Sequence, residues 1–311
     1  MRRALASAAA ALCLLAGCGQ NDGRPGNNEQ QQEPPRETLT IATGGKGGIY
    51  AVYGARLARA ITNRLDGYRG RTLETTGSVQ NLLRLRDGKA EIALTLADTA
   101  LDAVEGREAF RRPVPMRALA QIYPSYVQLV TTAGSPIKTL EDLAGRRVSV
   151  GSPDSGTQVV AERALDVAGV EPTRERLGVA DSAKALEAGD IDAFFWSGGV
   201  PTEAITALSK RTPIALVDLA PWTREMRMRW GGVYERAAIP AGTYGLAEAV
   251  PTVRIPNYVV VDEHMDTGLA RDLTKLLFDA DLVDDDARAQ RVIAPVGLHR
   301  GALDYYEGAG G

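Results

Sequence analysis

Hydrophobic and polar positions divide the chain into three stretches. Ala4 to Ala16 is almost wholly apolar, and residues 19–37 hold no aliphatic or aromatic side chain at all. From Leu39 onward apolar residues recur with regular periods. Leu39-Thr40-Ile41-Ala42-Thr43 alternates as a short strand and meets a loop containing Gly44, Gly45, Gly47 and Gly48. Ile49, Val52, Tyr53, Leu57, Ala60 and Ile61 then fall on one helical face. Arg147-Val148-Ser149-Val150 predicts another strand, followed by the loop Gly151–Thr157 and a helix running to Ala168, where Gly169 stops it.

A second pair of segments repeats the arrangement. Leu82 to Ala93 reads as helix end, glycine stop and strand, and so does Ala183 to Phe194; Gly88 aligns with Gly189, and Glu91 with Asp192. Polar or glycine loops follow at Ala97-Asp98-Thr99 and at Ser197–Pro201, where Pro201 suits a first helical position. Strands alternating with helices predict parallel sheets, and in open α/β sheets ligands bind beyond the carboxyl ends of the strands. The expected architecture is therefore α/β and two-lobed, with two sheets facing across a cleft and small-residue loops lining it.

The N-terminal apolar run follows Arg2 and Arg3 and covers 13 residues. A membrane-spanning helix needs roughly 18 or more, so the run fits the apolar region of an export signal. It ends in Leu15-Ala16-Gly17-Cys18, which resembles the lipobox of bacterial lipoproteins. That resemblance implies cleavage before Cys18, lipid on its thiol and amine, and a periplasmic protein that meets the membrane only through its anchor. An ordinary secretory signal cleaved nearby is the alternative. Residues 1–17 are thus expected as signal peptide and 18–38 as lipidated cysteine and flexible linker; nineteen such linker residues span roughly 25 Å. Cys13 leaves with the signal and Cys18 is capped, so no disulfide is expected in the mature chain.

Composition narrows the function class. The 311 residues are 44% hydrophobic and 24% charged, ordinary values for a globular protein long enough for two cores. A net charge of −3 with no basic stripe argues against nucleic acid as a partner. Two histidines and scattered acids leave little for a metal site or histidine-based catalysis. No cofactor and no metal are expected.

The candidate chemistry is anion binding. In Thr43–Tyr50, glycines let backbone N–H groups approach a ligand, and a helix start favours negative charge. Thr43, Gly44, Gly45, Lys46 and Tyr50 are the candidates there. Ser152, Ser155, Gly156 and Thr157 form the second loop; its Gly151-to-Gly156 spacing mimics a phosphate loop, but Thr157 stands where lysine is required, which excludes nucleoside triphosphates. Ser155 or Asp154 could equally cap the helix. In a third loop Ser78 and Asn81 are both candidates, Asn81 the stronger because Ser78 could be only the helix cap, while Asp98 is assigned to capping rather than to a ligand amine. Trp196 and Gly199 complete the set; strand alternation sends Phe194 or Phe195 to the core. Trp222, Trp230 and the arginines between Arg224 and Arg229 fit an ordinary amphipathic helix.

Six stretches, Thr43–Tyr50, Thr75–Asn81, Gly151–Thr157, Ile191–Pro201, Ile239–Tyr244 and His299–Tyr306, resemble as an ordered set the TAXI-type solute-binding proteins of TRAP transporters. The resemblance covers nearly all of residues 39–307. It implies a type II periplasmic-binding-protein fold, with residues 39–127 plus 252–311 as one lobe and 128–251 as the other. It also implies a monomer that captures a small organic acid, a dicarboxylate or glutamate-like molecule, and hands it to an integral-membrane permease. Asp154 stands where that family usually has glycine, and Arg300 where it usually has proline. A ligand-sensing lipoprotein remains open as an alternative. An enzyme on the same fold is disfavoured, because no GxSxG occurs and neither histidine lies near a serine motif.

Overall fold

The computed structural model describes residues 37–283 and 296–308. The expected signal, the lipidation at Cys18 and all but the last residues of the linker lie outside these.

Two copies of one strand–helix grammar build the molecule. The first comprises β1 (Glu37–Ala42), α1 (Ile49–Arg64), β2 (Tyr68–Leu73), α2 (Ser78–Arg86), β3 (Ile92–Leu96) and α3 (Ala97–Glu105). The second comprises β5 (Arg147–Ser149), α4 (Gly156–Ala168), β6 (Thr173–Glu175), α5 (Val179–Ala188), β7 (Ala193–Gly198) and α6 (Glu203–Ser209). In each, the first strand lies in the middle with parallel partners on both sides: β2-β1-β3 and β6-β5-β7. The aligned acids prove equivalent. Glu91 accepts from the Thr40 N–H at 2.6 Å, and Asp192 accepts from the Arg147 N–H at 2.8 Å, each pinning the third strand of its repeat to the first. The aligned glycines both take left-handed backbone, Gly88 at φ 64° and Gly189 at φ 77°, where a side chain would be strained.

The sheets are not separate. Between the repeats runs β4 (Met116–Thr132), and after them come β8 (Ile214–Leu216), α7 (Thr223–Trp230), β9 (Glu235–Ile239), β10 (Val250–Asp262), α8 (Thr267–Asp279) and α9 (Arg300–Gly308). Strands β4 and β10 are 17 and 13 residues long, well beyond the usual five or six. They pair antiparallel with each other; β10 also pairs β3, and β4 also pairs β7. One ladder therefore runs β2-β1-β3-β10-β4-β7-β5-β6, with β8 on β4 and β9 on β10. Where two facing sheets were expected, long shared strands join the repeats into one mixed sheet.

A large apolar core joins the first repeat, β4, β10, α4 and the C-terminal helices, and a smaller one lies under α5 and α6. Adjacent residues of a strand point to opposite faces, so Phe195 enters the large core and Phe194 the small one, both fully buried. Helix α6 starts two residues later than expected: Pro201 precedes the N-cap Thr202, and the Val200–Pro201 bond is cis. At the C-terminal end the His299 N–H donates to Ala118 O, and its ring Nδ1 accepts from the Gly301 N–H, so the histidine ties α9 to β4.

Candidate anion-binding cavity

Beyond the carboxyl ends of β1, β3, β5 and β7 lies a cavity of about 80 Å³. Gly44, Gly45, Lys46, Tyr50, Ser78, Ser152, Ser155, Gly156, Thr157 and Trp196 line it, bringing together loops 152 residues apart at the extremes. Gly45 and Lys46 are exposed and form its mouth.

Four helices of nine residues or more begin at this cavity. Their N-cap residues are Gly48 for α1, Gly77 for α2, Ser155 for α4 and Gly178 for α5, and all four residues line it. The first-turn N–H groups of a helix have no partner within the helix. Three of these N-caps are glycines, which make no side-chain capping bond; Ser155 does cap, accepting from the Gln158 N–H at 3.0 Å. No acidic residue stands in the first turn of α1, α2 or α4, whereas α5 carries Asp181 in its first turn. Each such end carries the equivalent of about half a positive charge, so the helices converge on a site of positive potential built mainly from neutral groups.

The hydroxyl groups are set to donate. Ser78 Oγ accepts from the Leu96 N–H, Ser155 Oγ from the Gln158 N–H, and Thr157 Oγ1 from the Ser197 N–H. Each bond occupies an oxygen lone pair and leaves the hydroxyl proton to be given elsewhere. The Ser197 hydroxyl and the Thr76 hydroxyl also line the cavity, and both lack a partner. Ser197 is 9% exposed, so its orphaned oxygen sits in a nearly closed space.

Aromatic rings form the remaining wall. Trp196 lies between Gly48 and Gly198; a β-carbon at Gly198 would come within 2.5 Å of its ring nitrogen. Its indole N–H donates to Thr202 Oγ1, which donates in turn to Gly199 O, each at 2.8 Å. The Tyr50 hydroxyl donates to Asn257 Oδ1 at 2.5 Å, and Asn257 Nδ2 donates to Tyr123 O and Ser125 Oγ. Asn257 thus fixes three cavity residues, Tyr50, Tyr123 and Ser125, from the central strand β10. Burial raises the Tyr50 hydroxyl pKa far above its ordinary value, so it stays a neutral donor.

Three expected contacts are corrected. Asn81 does not reach the cavity: its Nδ2 donates to Thr43 O and Leu94 O, and its Oδ1 accepts from Thr75 Oγ1. Ser78, the weaker candidate of the two, makes no capping bond and lines the site. Thr43 is buried one step behind the loop, donating to Leu73 O at 3.1 Å. Gly199 faces inward, where a β-carbon would strike Ile49 at 2.3 Å. Asp98 is fully buried with Oδ1 accepting from Thr99 and Oδ2 from Tyr234, but it lies inside α3, whose N-cap is Leu96, and so is not that helix's cap. Asp154 adopts left-handed backbone at φ 57°, and its side chain borders a separate surface groove beside Glu162 and Trp230.

Sequence reasoning missed Thr76, Ser125, Ser197 and the Gly178–Val179 helix start, all of which line the cavity. The last was within reach, since Gly178 opens a strand-to-helix connection of the same kind as Gly48. Ser125 carries no local signal, because it sits in the middle of a strand.

The sequence profile of the NMT1-like family matches residues 41–310, nearly the whole described fold. The chain belongs to the NMT1-like family. Solved structures similar to this NMT1-like protein share its fold at low identity. MatC from Rhodopseudomonas palustris, with bound malate, is 15% identical over 88% of this chain and 89% of its own, with a TM-score of 0.52. An ancestral arginine-binding protein bound to arginine is 16% identical over 80% of this chain and 94% of its own, at 0.51. XAC2383 from Xanthomonas citri, bound to ATP, is 14% identical over 88% and 97%, at 0.51. The NMT1-like protein thus has the type II periplasmic-binding-protein-like fold of these structures.

Proposed function

We propose that this NMT1-like protein is an extracytoplasmic receptor that captures a small organic anion and delivers it to a TRAP-type permease. The observation that carries the reading is the convergence of four helix N-termini, three of them without side-chain caps, on one cavity edged by an orphaned buried hydroxyl. Preorganised N–H donors stabilise an anion without reorganising. The lipobox-like Leu15–Cys18 and the polar stretch after it support a lipid-tethered, periplasmic receptor of the TAXI type. Ligand would bridge a lobe of residues 39–127 plus 252–311 and a lobe of 128–251, stabilising the closed form.

A ligand that binds the folded state raises the unfolding temperature by mass action. Screening succinate, fumarate, 2-oxoglutarate and glutamate at millimolar concentration should therefore give at least one clear upward shift. Unchanged transitions with every acid would refute the reading.

A further inference from the structure

Resting on that anion-receptor reading, we infer that the cavity selects acids without an amine: a small carboxylate enters, and the matching zwitterionic amino acid is rejected. Recognition of an α-ammonium in a buried site requires a carboxylate or several well-placed carbonyl acceptors, because an unpartnered buried charge is costly. Among the described residues that line the cavity there is no aspartate or glutamate, and the one charged side chain is Lys46 at the mouth.

The polar groups present are biased the other way. Ser78, Ser155 and Thr157 already accept backbone N–H groups, which leaves their hydroxyl protons to donate, while the Tyr50 hydroxyl donates to Asn257. The helix ends add positive potential on several sides, which repels a second cation as it attracts the first anion. Asp98 lies on α3, two residues beyond the lining Leu96. Both of its oxygens are engaged, by Thr99 on one side and by Tyr234 on the other, with the Arg163 guanidinium 3.5 Å away.

Charge restricts the class further. One carboxylate fits against the helix ends, and a second anionic group finds a cation only by extending to Lys46. The ligand class is therefore a monocarboxylic, oxo- or hydroxy-acid, or a dicarboxylate long enough to reach the mouth.

The test is calorimetric titration of the full-length protein with matched pairs: 2-oxobutyrate against 2-aminobutyrate, succinate against aspartate, and 2-oxoglutarate against glutamate. At least one amine-free member should bind about tenfold or more tightly than its partner. Equal or tighter binding of the amino acid in the pairs that bind would overturn the selectivity and leave the anion receptor standing. No heat from any of the six would remove the receptor reading and the inference with it. As a gain-of-function arm, Ser152→Asp places a carboxylate in the lining loop and should shrink the discrimination. An unaltered ratio in a variant that still binds would count against the missing acceptor as its cause.

Discussion

At the residue scale, Asn81 and Ser197 show how alike two polar side chains can look in sequence and how differently they act. Both belong to loops singled out for small polar residues at helix or strand ends. Asn81 satisfies two backbone carbonyls and a threonine hydroxyl from a fully buried position. Removing it strands those groups, each at a cost of order 1–3 kcal/mol. Asn81→Ala should lower unfolding free energy in urea by at least about 1 kcal/mol; an unchanged midpoint would show that the network is not structural. Ser197 is the reverse case, since its hydroxyl has no partner to lose. Ser197→Ala should leave stability within about 0.5 kcal/mol of the parent while weakening binding of whichever acid the protein takes. Equal affinity in the variant would exclude that hydroxyl from the site. The pattern of loops was legible at this scale, but the direction of each side chain was not. Direction depends on the strand lying behind the loop, and for Asn81 those are β1 and β3 together.

At the scale of elements, the sequence located most of the structure. Strands β1 and β5, helices α1 and α4, and both helix–glycine–strand units lie where periodicity placed them, because apolar spacing and left-handed glycines are local signals. Contact between elements adds what spacing omits. The starts of α2 and α4 abut: the Gln80 N–H donates to Asp154 O, and a β-carbon on Gly156 would lie 2.6 Å from both Ser78 Oγ and Leu96 Cδ1. Gly45, by contrast, has open surroundings, with 3.9 Å to the nearest atom. Gly156→Val should therefore cost about 1–3 kcal/mol of stability through overpacking. Gly45→Val should leave stability almost unchanged and reduce ligand affinity by narrowing the mouth. Comparing unfolding midpoints with binding isotherms separates the two; equal destabilisation by both would contradict this packing.

At the scale of the whole molecule, a buried ionic cluster joins the two repeats. Arg163 on α4 donates to Asp102 at 2.5 Å and to the Tyr234 hydroxyl at 2.9 Å; Tyr234 in turn donates to Asp98, and the Trp230 ring lies against the guanidinium. Asp102 and Asp98 belong to α3, so this cluster links α3 of the first repeat to α4 of the second. Removing the cation leaves two carboxylates buried together, and Arg163→Met should cost about 3–5 kcal/mol at neutral pH. Burial pushes the Asp102 carboxyl up to about 6 from 3.8, with the Arg163 charge opposing and the Asp98 charge adding. The folded protein thus holds this proton more tightly than the unfolded chain does. The associated stability is complete below about pH 4 and is lost as pH rises through about 6. Urea unfolding at intervals from pH 4 to 7 should show that decline in the parent, and a flatter profile in Asp102→Asn. Parallel profiles would rule Asp102 out as the source.

The sequence by itself determined the repeated strand–helix grammar and the glycine-opened loops, since each follows from the properties of residues a few positions apart. Tertiary structure decided that one continuous sheet joins the repeats through β4 and β10, that the Gly178 start of α5 joins the expected helix starts at one cavity, and that Asp98 beside it is already engaged. These depend on contacts between residues up to about 200 positions apart, such as Tyr50 with Asn257, and no local pattern of polarity encodes which distant backbone a side chain will meet.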